Sequence, residues 1–181
     1  MGSIGKDFKY KIIKNFLSKD ERDILTIYCE IKHRNNFSSF DFDQSNNADT
    51  RYYGDAVIDS LLVKKKKLIE RECGKNLLGT YSFWRAYTRF ADLPKHTDRP
   101  ACEISVTVSI GGDDVKWPIF MDGTSISLEK GDAALYLGCE VSHWREEFEG
   151  DCQFQCFLHY VDADGENKQQ YLDKRNNWGQ S

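Results

Sequence analysis

The sequence predicts an antiparallel β-sandwich or barrel with two helices in front of it. Apolar and polar residues alternate at a period of two through most of residues 80–161, as in half-buried strands. Glycine and aspartate residues interrupt this alternation at short intervals, which is typical of turns between antiparallel strands. The first 79 residues contain two stretches with helical spacing instead. Some eight short strands at this spacing favour a sandwich or a barrel.

The composition indicates a globular protein of one domain. The chain has 181 residues, 40% of them hydrophobic, and a net charge of −4. The acidic balance argues against nucleic-acid binding, no apolar run is long enough to span a membrane, and the N-terminus lacks the apolar segment of a signal peptide. The six cysteines are therefore expected to be reduced thiols. We expect a cytoplasmic protein that is a monomer or a weak homodimer.

The N-terminal part, residues 1–79, is predicted to contain one strand and two helices. Residues 8–13 alternate as a strand does, and Ser18 and Glu21 have the spacing of a capping box before a helix over 19–33. The apolar residues at helical spacing in this helix, expected to lie on a sheet, are Ile24, Ile27, Tyr28 and Ile31. Asp55 and Gly74 suit the two ends of a second helix over 56–73.

Residues 34–55 form a long polar stretch with scattered aromatic residues. A loop of this length inside a compact domain is usually functional or disordered. Two interpretations stand side by side: a lid over a pocket, or a surface loop held by its aromatic side chains.

The strands of residues 80–162 show one polar and one apolar face. Tyr81, Phe83, Arg85 and Tyr87 share a face, as do Ser105, Thr107 and Ser109 on the next long strand. On the last strand we expect the polar residues Gln153, Gln155 and His159 to point inward, although a register slip of one residue would reverse this. The tail, residues 163–181, is polar and is expected to dock loosely or fray.

Three side chains in this region are candidate metal ligands. His96 and Asp98 are two residues apart, and His143 lies on a later strand. Two imidazoles and one carboxylate can occupy one face of an octahedral ion, the facial triad of non-haem Fe(II) oxygenases. The His-x-Asp pair alone is weak, because a loop histidine beside a turn-forming aspartate gives the same pattern.

A longer ordered set of residues makes the pattern more specific. It consists of Tyr87, His96-Thr97-Asp98, the Ile104–Val108 strand, Gly131-Asp132-Ala133 with Tyr136, His143, and the final Phe157–Val161 strand. In this order they resemble the prolyl-4-hydroxylase-like branch of the 2-oxoglutarate/Fe(II)-dependent oxygenases. The resemblance covers residues 80–162, and the N-terminal strand and helices fit in order.

The resemblance implies a fold, a reaction and a set of cofactors. The fold would be a double-stranded β-helix (jelly roll, cupin-like) with the two N-terminal helices packed on the outer face of one sheet. Fe(II) would be held by His96, Asp98 and His143, with 2-oxoglutarate and O2 as cosubstrates and ascorbate as a candidate reductant. The reaction would couple decarboxylation of 2-oxoglutarate to succinate with oxidation of a substrate C–H, with no catalytic residue beyond the metal ligands.

The chain departs from this branch at one position. The branch places Arg or Lys nine or ten residues past the distal histidine, where this chain has Cys152 and Gln153. Since a buried carboxylate without a cation costs roughly several kcal/mol, another cation should take the far carboxylate of the cosubstrate. The candidates are, in order, Arg85, Arg145 and Arg99. Each has a salt-bridge alternative, such as Arg99 with Glu103 or Arg145 with Glu147.

Further residues are predicted to surround the site. Hydrogen bonds to the cosubstrate are expected from Tyr87, Ser105, Thr107 and Gln153. The expected residues of the substrate pocket are Arg99, Trp117, Trp144 and His159, although core packing is the commoner role of tryptophan. The substrate would be a small molecule or a peptide side chain. Two alternatives stay open: a non-catalytic module that binds a metal or another ligand, and a cupin-like metalloenzyme that needs no 2-oxoglutarate.

Overall fold

A computed structural model describes residues 8–35 and 48–180. Over these ranges the chain forms two helices, α1 (Lys19–Asn35) and α2 (Ala56–Cys73), together with short 3-10 segments at Pro100–Cys102 and Lys168–Lys174. The strands are β1 (Tyr10–Ile13), β2 (Ala48–Tyr53), β3 (Leu77–Thr88), β4 (Leu93–His96), β5 (Ile104–Gly112), β6 (Ile119–Met121), β7 (Thr124–Ile126), β8 (Ala133–Leu137), β9 (His143–Arg145) and β10 (Cys152–Asp162).

The strands form two antiparallel sheets, and the predicted jelly roll is confirmed. The larger sheet has the order β1-β8-β5-β10-β3-β2, and the smaller sheet has the order β4-β9-β6-β7. A hairpin between β6 and β7 turns at Asp122 and Gly123, which both have positive φ, as this tight turn requires. The two short strands β2 and β4 were not foreseen.

The register of β10 decides which side chains enter the space between the sheets, and its prediction is confirmed. Gln153 and Gln155 lie opposite Tyr87 and Arg85 of β3. Phe154, Cys156 and Leu158 point the other way, into the main hydrophobic core. This core also contains buried residues of both helices, including Leu25, Ile58 and Leu62. The helices therefore cover the outer face of the larger sheet, and the inner face carries the polar residues.

The helix ends follow their predicted signals. Ser18 and Glu21 exchange side-chain-to-backbone hydrogen bonds of 2.8 and 3.1 Å, which is a capping box. Asp55 accepts hydrogen bonds from the backbone N–H groups of Val57 and Ile58. Gly74 ends α2 with a φ of 73°. None of the helices in the described ranges is long and apolar enough to cross a membrane.

The predicted buried face of α1 is wrong for its three isoleucines, whereas Tyr28 packs against the core as expected. Ile24, Ile27 and Ile31 are 63%, 51% and 55% exposed, whereas Leu25 and Cys29 are buried. The helix approaches β5 at Gly111, where a Cβ atom would lie 2.5 Å from the Thr26 hydroxyl oxygen. This close approach turns the Leu25, Thr26 and Cys29 side of the helix inward and leaves the isoleucines outside.

The stretch 34–55 is only partly a loop. Helix α1 continues to Asn35, and residues 48–53 form β2, the edge strand paired with β3. The prediction of irregular structure is wrong for these two segments. Residues 36–47, with Phe37, Phe40 and Phe42, lie outside the described residues, so the lid stays a prediction.

The tail is anchored, contrary to the prediction that it docks loosely or frays. The Arg175 guanidinium donates to Asp59 at 2.8 Å, and the backbone N–H of Gly179 donates to the same carboxylate at 2.8 Å. Asp173 accepts hydrogen bonds from Tyr53 and Arg99. The polar composition of the tail conceals these charge pairs, and Trp178 adds an apolar contact with the main hydrophobic core.

Candidate metal centre and cavity

The smaller sheet brings the three candidate ligands together. Strand β4 pairs with β9 so that His96 lies directly opposite His143. Asp98 follows two residues later, and its backbone N–H donates to the Gly138 carbonyl at 2.8 Å. One carboxylate oxygen, Oδ1 of Asp98, lies 3.7 Å from Nε2 of His96 and 3.6 Å from Nε2 of His143. The three residues therefore present their donor atoms to one point.

The backbone fixes the orientation of both imidazoles. Nδ1 of His96 lies 2.7 Å from the Pro94 carbonyl oxygen, and Nδ1 of His143 lies 2.9 Å from that of Val141. Because a carbonyl can only accept, Nδ1 carries the hydrogen in each ring and Nε2 keeps a lone pair directed at Asp98. Ligand histidines are commonly held in this way. Burial also lowers the pKa of His143, although Asp98 opposes this, and burial favours the neutral ring that binds metals.

The donor set fits a divalent transition metal. Neighbouring ligands of an octahedral ion, at roughly 2.1 Å from it, lie about 3.0 Å apart. The two histidine–aspartate separations of 3.6 and 3.7 Å are slightly wider, and all three donor atoms lie within 4.8 Å of one another, so side-chain rotations can bring them into bonding distance.

A hydrogen-bond chain supports the Asp98 carboxylate. The Ser105 hydroxyl lies 3.1 Å from Oδ2 of Asp98 and 2.8 Å from Nδ1 of His159. Burial lowers the pKa of His159 to about 4, so the ring is neutral near pH 7. When Nδ1–H of His159 donates to Ser105, the hydroxyl proton is shared between Asp98 and the Cys102 carbonyl oxygen, which lies 3.0 Å away, and Nε2 of His159 remains an acceptor.

Gly138 makes room for the same carboxylate. A Cβ atom at this position would lie 2.5 Å from Oδ2 of Asp98 and 2.2 Å from the Cys102 carbonyl oxygen. A side chain there would therefore displace the carboxylate or the backbone beside it.

A cavity of about 330 Å³ opens between the two sheets at this point. It is lined by Arg51, Tyr81, Phe83, Arg85, Tyr87, Leu93, His96, Asp98, Ile119, Tyr136, His143, Phe157 and His159. The candidate ligands thus share one cavity with arginines and aromatic side chains. A site of this size is at the lower end of the range for small-molecule sites, roughly 300–1,000 Å³.

Arg85 and Tyr87, two of the residues predicted to bind the cosubstrate, line the cavity, and their role stays a prediction. Arg85 is 6% exposed, and its guanidinium carbon lies 5.0 and 5.2 Å from the ring centres of Phe83 and Tyr87. Nearby, on the same inner face, several buried side-chain atoms have no hydrogen-bond partner among the described residues. They are Oγ1 of Thr107, Oε1 of Gln153, and both amide atoms of Gln155. Since buried polar atoms are normally satisfied, this region suits a polar ligand or ordered water.

Several other predicted site residues lie elsewhere. Ser105, Thr107 and Gln153 are not among the residues that line this cavity, and Gln153 lines a different one. Arg145 donates to the Trp117 carbonyl and lies over the Trp117 ring. Burial lowers the pKa of Arg145 to about 10. Its predicted alternative partner, Glu147, is not the group it contacts.

Arg99 and the two tryptophans do not line the cavity either. The Arg99 guanidinium is held by both carboxylate oxygens of Asp173, and not by the predicted Glu103. Trp117 packs against Tyr87 at a ring separation of 4.8 Å. Trp144 stacks on Phe120 on the opposite face from His143, because adjacent residues of a strand alternate. Of the four predicted substrate-pocket residues, only His159 lines the cavity.

Sequence reasoning missed Arg51. This residue lies on β2 directly opposite Arg85 and lines the cavity. The available signal was the short β-forming run Thr50–Tyr53, which the polar surroundings of the 34–55 stretch concealed. A second group of potential metal ligands, Asp98, Cys102 and His159, overlaps the first at Asp98. Its members already have partners, since Cys102 contacts the Tyr81 hydroxyl at 3.1 Å and His159 contacts Ser105.

Comparison with known proteins identifies the fold. No protein-family model matches the sequence, and no curated protein matches it significantly. Solved structures do match. A prolyl-4-hydroxylase from Pseudomonas putida superposes with a TM-score of 0.67 and 14% identity, over 85% of this chain and 92% of that one.

Two further structures extend the comparison. The viral collagen prolyl hydroxylase of Paramecium Bursaria Chlorella virus-1, in its 2OG complex, gives a TM-score of 0.62 at 14% identity, over 84% of this chain and 96% of that chain. HygX from Streptomyces hygroscopicus, with nickel and 2-oxoglutarate bound, gives a TM-score of 0.64 at 10% identity, over 86% of this chain and 83% of that chain.

The protein therefore has the double-stranded β-helix fold found in 2-oxoglutarate/Fe(II)-dependent oxygenases. Prolyl-4-hydroxylases are among the structures that it resembles. At 10–14% identity this similarity establishes the fold, and any activity must be argued from the site itself.

Proposed function

We propose that the protein is an Fe(II)- and 2-oxoglutarate-dependent dioxygenase, most simply a hydroxylase. The observation that supports this best is the convergence of two imidazole Nε2 atoms on one oxygen of Asp98, at 3.6 and 3.7 Å, in the wall of a cavity. Two histidines and one carboxylate on one side of an ion leave positions for other ligands, as non-haem Fe(II) oxygenases require.

Under this proposal His96, Asp98 and His143 hold the metal. Their supports are in place around them: the Pro94 and Val141 carbonyls for the rings, and Ser105 and Gly138 for the carboxylate. These contacts keep the donor atoms aimed at one point, so little reorganisation is needed when the ion binds.

Arg85 is the cation proposed for the far carboxylate of 2-oxoglutarate. It lines the cavity, is almost fully buried, and lies opposite Gln155, whose buried amide lacks a partner among the described residues. A guanidinium can hold a carboxylate through two parallel hydrogen bonds. The Tyr87 hydroxyl, on the same face, can donate a third hydrogen bond to this carboxylate. The absence of a basic residue at 152 and 153 favours the alternative of a non-catalytic binding module, and Arg85 offers a replacement for that residue.

The chain's own contribution to the reaction is binding, orientation and exclusion of water. When bound, the metal and 2-oxoglutarate would supply O2 activation, releasing succinate and CO2 as the substrate C–H is oxidised. Phe83, Phe157 and Leu93 form apolar walls that limit water in the cavity. Ser105 donates to Asp98, and His159 contacts Ser105 and lines the cavity. The substrate class of small molecule or peptide side chain, the cytoplasmic location and the oligomeric state stay predictions.

The decisive experiment is metal-dependent succinate formation. Purified protein is incubated with Fe(II), ascorbate and labelled 2-oxoglutarate, and slow succinate formation is expected even without substrate. His96→Ala and Asp98→Ala should abolish it. Arg85→Met should raise the KM for 2-oxoglutarate by about 10-fold or more, the effect of losing a charge-assisted hydrogen bond.

A matched control keeps this test specific. Arg89 is near the end of the same strand but is exposed and pairs with Asp151 outside the cavity. Arg89→Met should therefore leave the KM unchanged. Succinate formation that is absent, or equal in the wild type and in His96→Ala, would contradict the proposed function.

A further inference from the structure

Helix α1 carries apolar side chains on the side that faces away from the sheet. Ile24, Ile27 and Ile31 are each more than half exposed. Leu25 and Cys29 belong to the hydrophobic core instead, on the opposite side of the helix. Single exposed apolar residues are common on protein surfaces, but a contiguous row of them usually marks an interaction site. The outer side of α1 therefore has the character of a docking surface.

A charged residue lies at each end of this row. Asp20 in the first turn and Arg34 in the last turn are both exposed. The ion pair of Arg34 with Glu30 is loose, at 3.8 Å, and leaves the Arg34 side chain 78% exposed. Both end charges are therefore accessible to another molecule. We call the five exposed residues Asp20, Ile24, Ile27, Ile31 and Arg34 the α1 stripe.

The spacing within the α1 stripe is that of a helix pair. Its members follow one another at intervals of four, three, four and three residues. Apolar residues at this alternation, with a mean interval of about 3.5 residues, form the contact line between two helices packed side by side. The natural partner of the α1 stripe is therefore another helix.

The order of charges makes the stripe complementary to itself. In an antiparallel pair of α1 helices related by a two-fold axis at Ile27, Asp20 of each copy lies opposite Arg34 of the other copy. The isoleucines of the two copies then meet between these charge pairs. A parallel pair would bring like charges together instead, so the charges select the antiparallel arrangement.

The position and size of the stripe set the character of the complex. Helix α1 covers the outer face of the larger sheet, whereas the cavity opens between the two sheets. Pairing through α1 therefore leaves the cavity accessible. Standard interfaces have roughly 20–30 residues per side and bind with Kd values of about 1 µM or tighter. Since the stripe has five residues, we expect a Kd weaker than about 1 µM.

We propose that the protein forms a two-fold symmetric homodimer in which the α1 stripes of two copies pack antiparallel. A second copy of the chain is the partner that the stripe fits, because an acid and a base stand at equal distances from the central Ile27. This dimer needs neither a metal ion nor a cosubstrate, so it is independent of the proposed function.

Sedimentation equilibrium of the full chain tests this inference. The average mass should rise from that of one chain towards that of two as the concentration increases from about 1 to about 500 µM. Ile27→Glu places two carboxylates at the axis and should weaken the Kd at least about 10-fold, because like charges in contact repel. Val63→Glu is the control, since Val63 of α2 is also exposed, at 49%, but lies outside the stripe. It should keep the wild-type Kd.

Charge reversal tests the antiparallel arrangement. Asp20→Lys and Arg34→Glu should each weaken the dimer at least about threefold, because each variant replaces attractive contacts by repulsive ones. The double variant exchanges the two charges and should recover most of the lost affinity. Thermal unfolding of each variant shows that it is folded.

The inference has clear contrary outcomes. A wild type that remains a single chain at every concentration would overturn it and would mean that another occupant covers the stripe. A dimer that tolerates Ile27→Glu, or that Val63→Glu weakens equally, would overturn it as well. If both single charge reversals weaken the dimer and the double variant recovers nothing, the antiparallel pairing is refuted.

Discussion

Replacing Gly138 by alanine should impair the metal centre without touching a ligand. The new Cβ would lie 2.2 Å from the Cys102 carbonyl oxygen and 2.5 Å from Oδ2 of Asp98. A carbon and an oxygen in contact are normally about 3.3 Å apart, so these groups must separate by about 1 Å. The backbone beside Cys102 and the Asp98 carboxylate are the groups that must yield.

The expected effect on metal binding is large. Disturbing a group that orients a ligand typically lowers metal affinity about 10- to 100-fold, and overpacking of this kind also costs about 1–3 kcal/mol of stability. Both are measurable, by calorimetric titration with Mn(II) and by urea denaturation of the metal-free protein.

Gly123→Ala provides the control for this experiment. Gly123 has a φ of +88° and no atom within 4 Å of an added Cβ, so its substitution strains the hairpin but leaves Asp98 in place. It should lower stability by about 1 kcal/mol with unchanged metal affinity. If Gly138→Ala binds Mn(II) as tightly as the wild type, the steric reasoning at Asp98 is refuted.

Two predictions concern stability away from the cavity. Arg175→Met should destabilise the fold by about 3–5 kcal/mol in urea denaturation, because it leaves the buried Asp59 carboxylate without its cation. As a control, Arg89→Met at an exposed arginine should cost less than about 1 kcal/mol. Equal destabilisation by the two substitutions would contradict this prediction. Burial raises the pKa of Glu21, but its hydrogen bonds with Lys65 and the Ser18 N–H outweigh this and lower the pKa from 4.5 to about 2. A carboxyl group whose pKa is lowered on folding stabilises the protein above its unfolded pKa, and this stability is lost as the pH falls from about 4.5 to about 2. Glu21→Gln should therefore flatten the pH dependence of unfolding in that window, and an unchanged slope would argue against it.

Alternation along strands made much of the inner face predictable. Once Tyr81 to Tyr87 and Gln153 to His159 are assigned as strands, a period of two fixes which side chains share a face, and the structure agrees. The helix ends were equally readable, because the Ser18–Glu21 pair, Asp55 and Gly74 act through local hydrogen bonds and local backbone conformation.

What the sequence could not supply depends on contacts between distant segments. Arg51 reaches the cavity only because β2 adds to the edge of the larger sheet, which a polar flanking sequence does not reveal. Arg99 is a candidate from the sequence alone, because nothing near it in the chain indicates that the distant Asp173 holds it. The choice between the two faces of α1 depended on a close approach at Gly111, and helical periodicity alone cannot distinguish one apolar stripe from a neighbouring one.

The carbonyl oxygens of Pro94 and Val141 have a consequence for how the proposed metal centre would acquire an ion. These contacts already fix both rings, so none of the free energy of metal binding is needed to fold the site. Small zinc modules differ, because they are unfolded without metal and metal binding drives their folding. Chelators should therefore strip the ion from an intact scaffold. Exchange of one divalent ion for another then becomes a question of supply and ligand preference rather than of refolding.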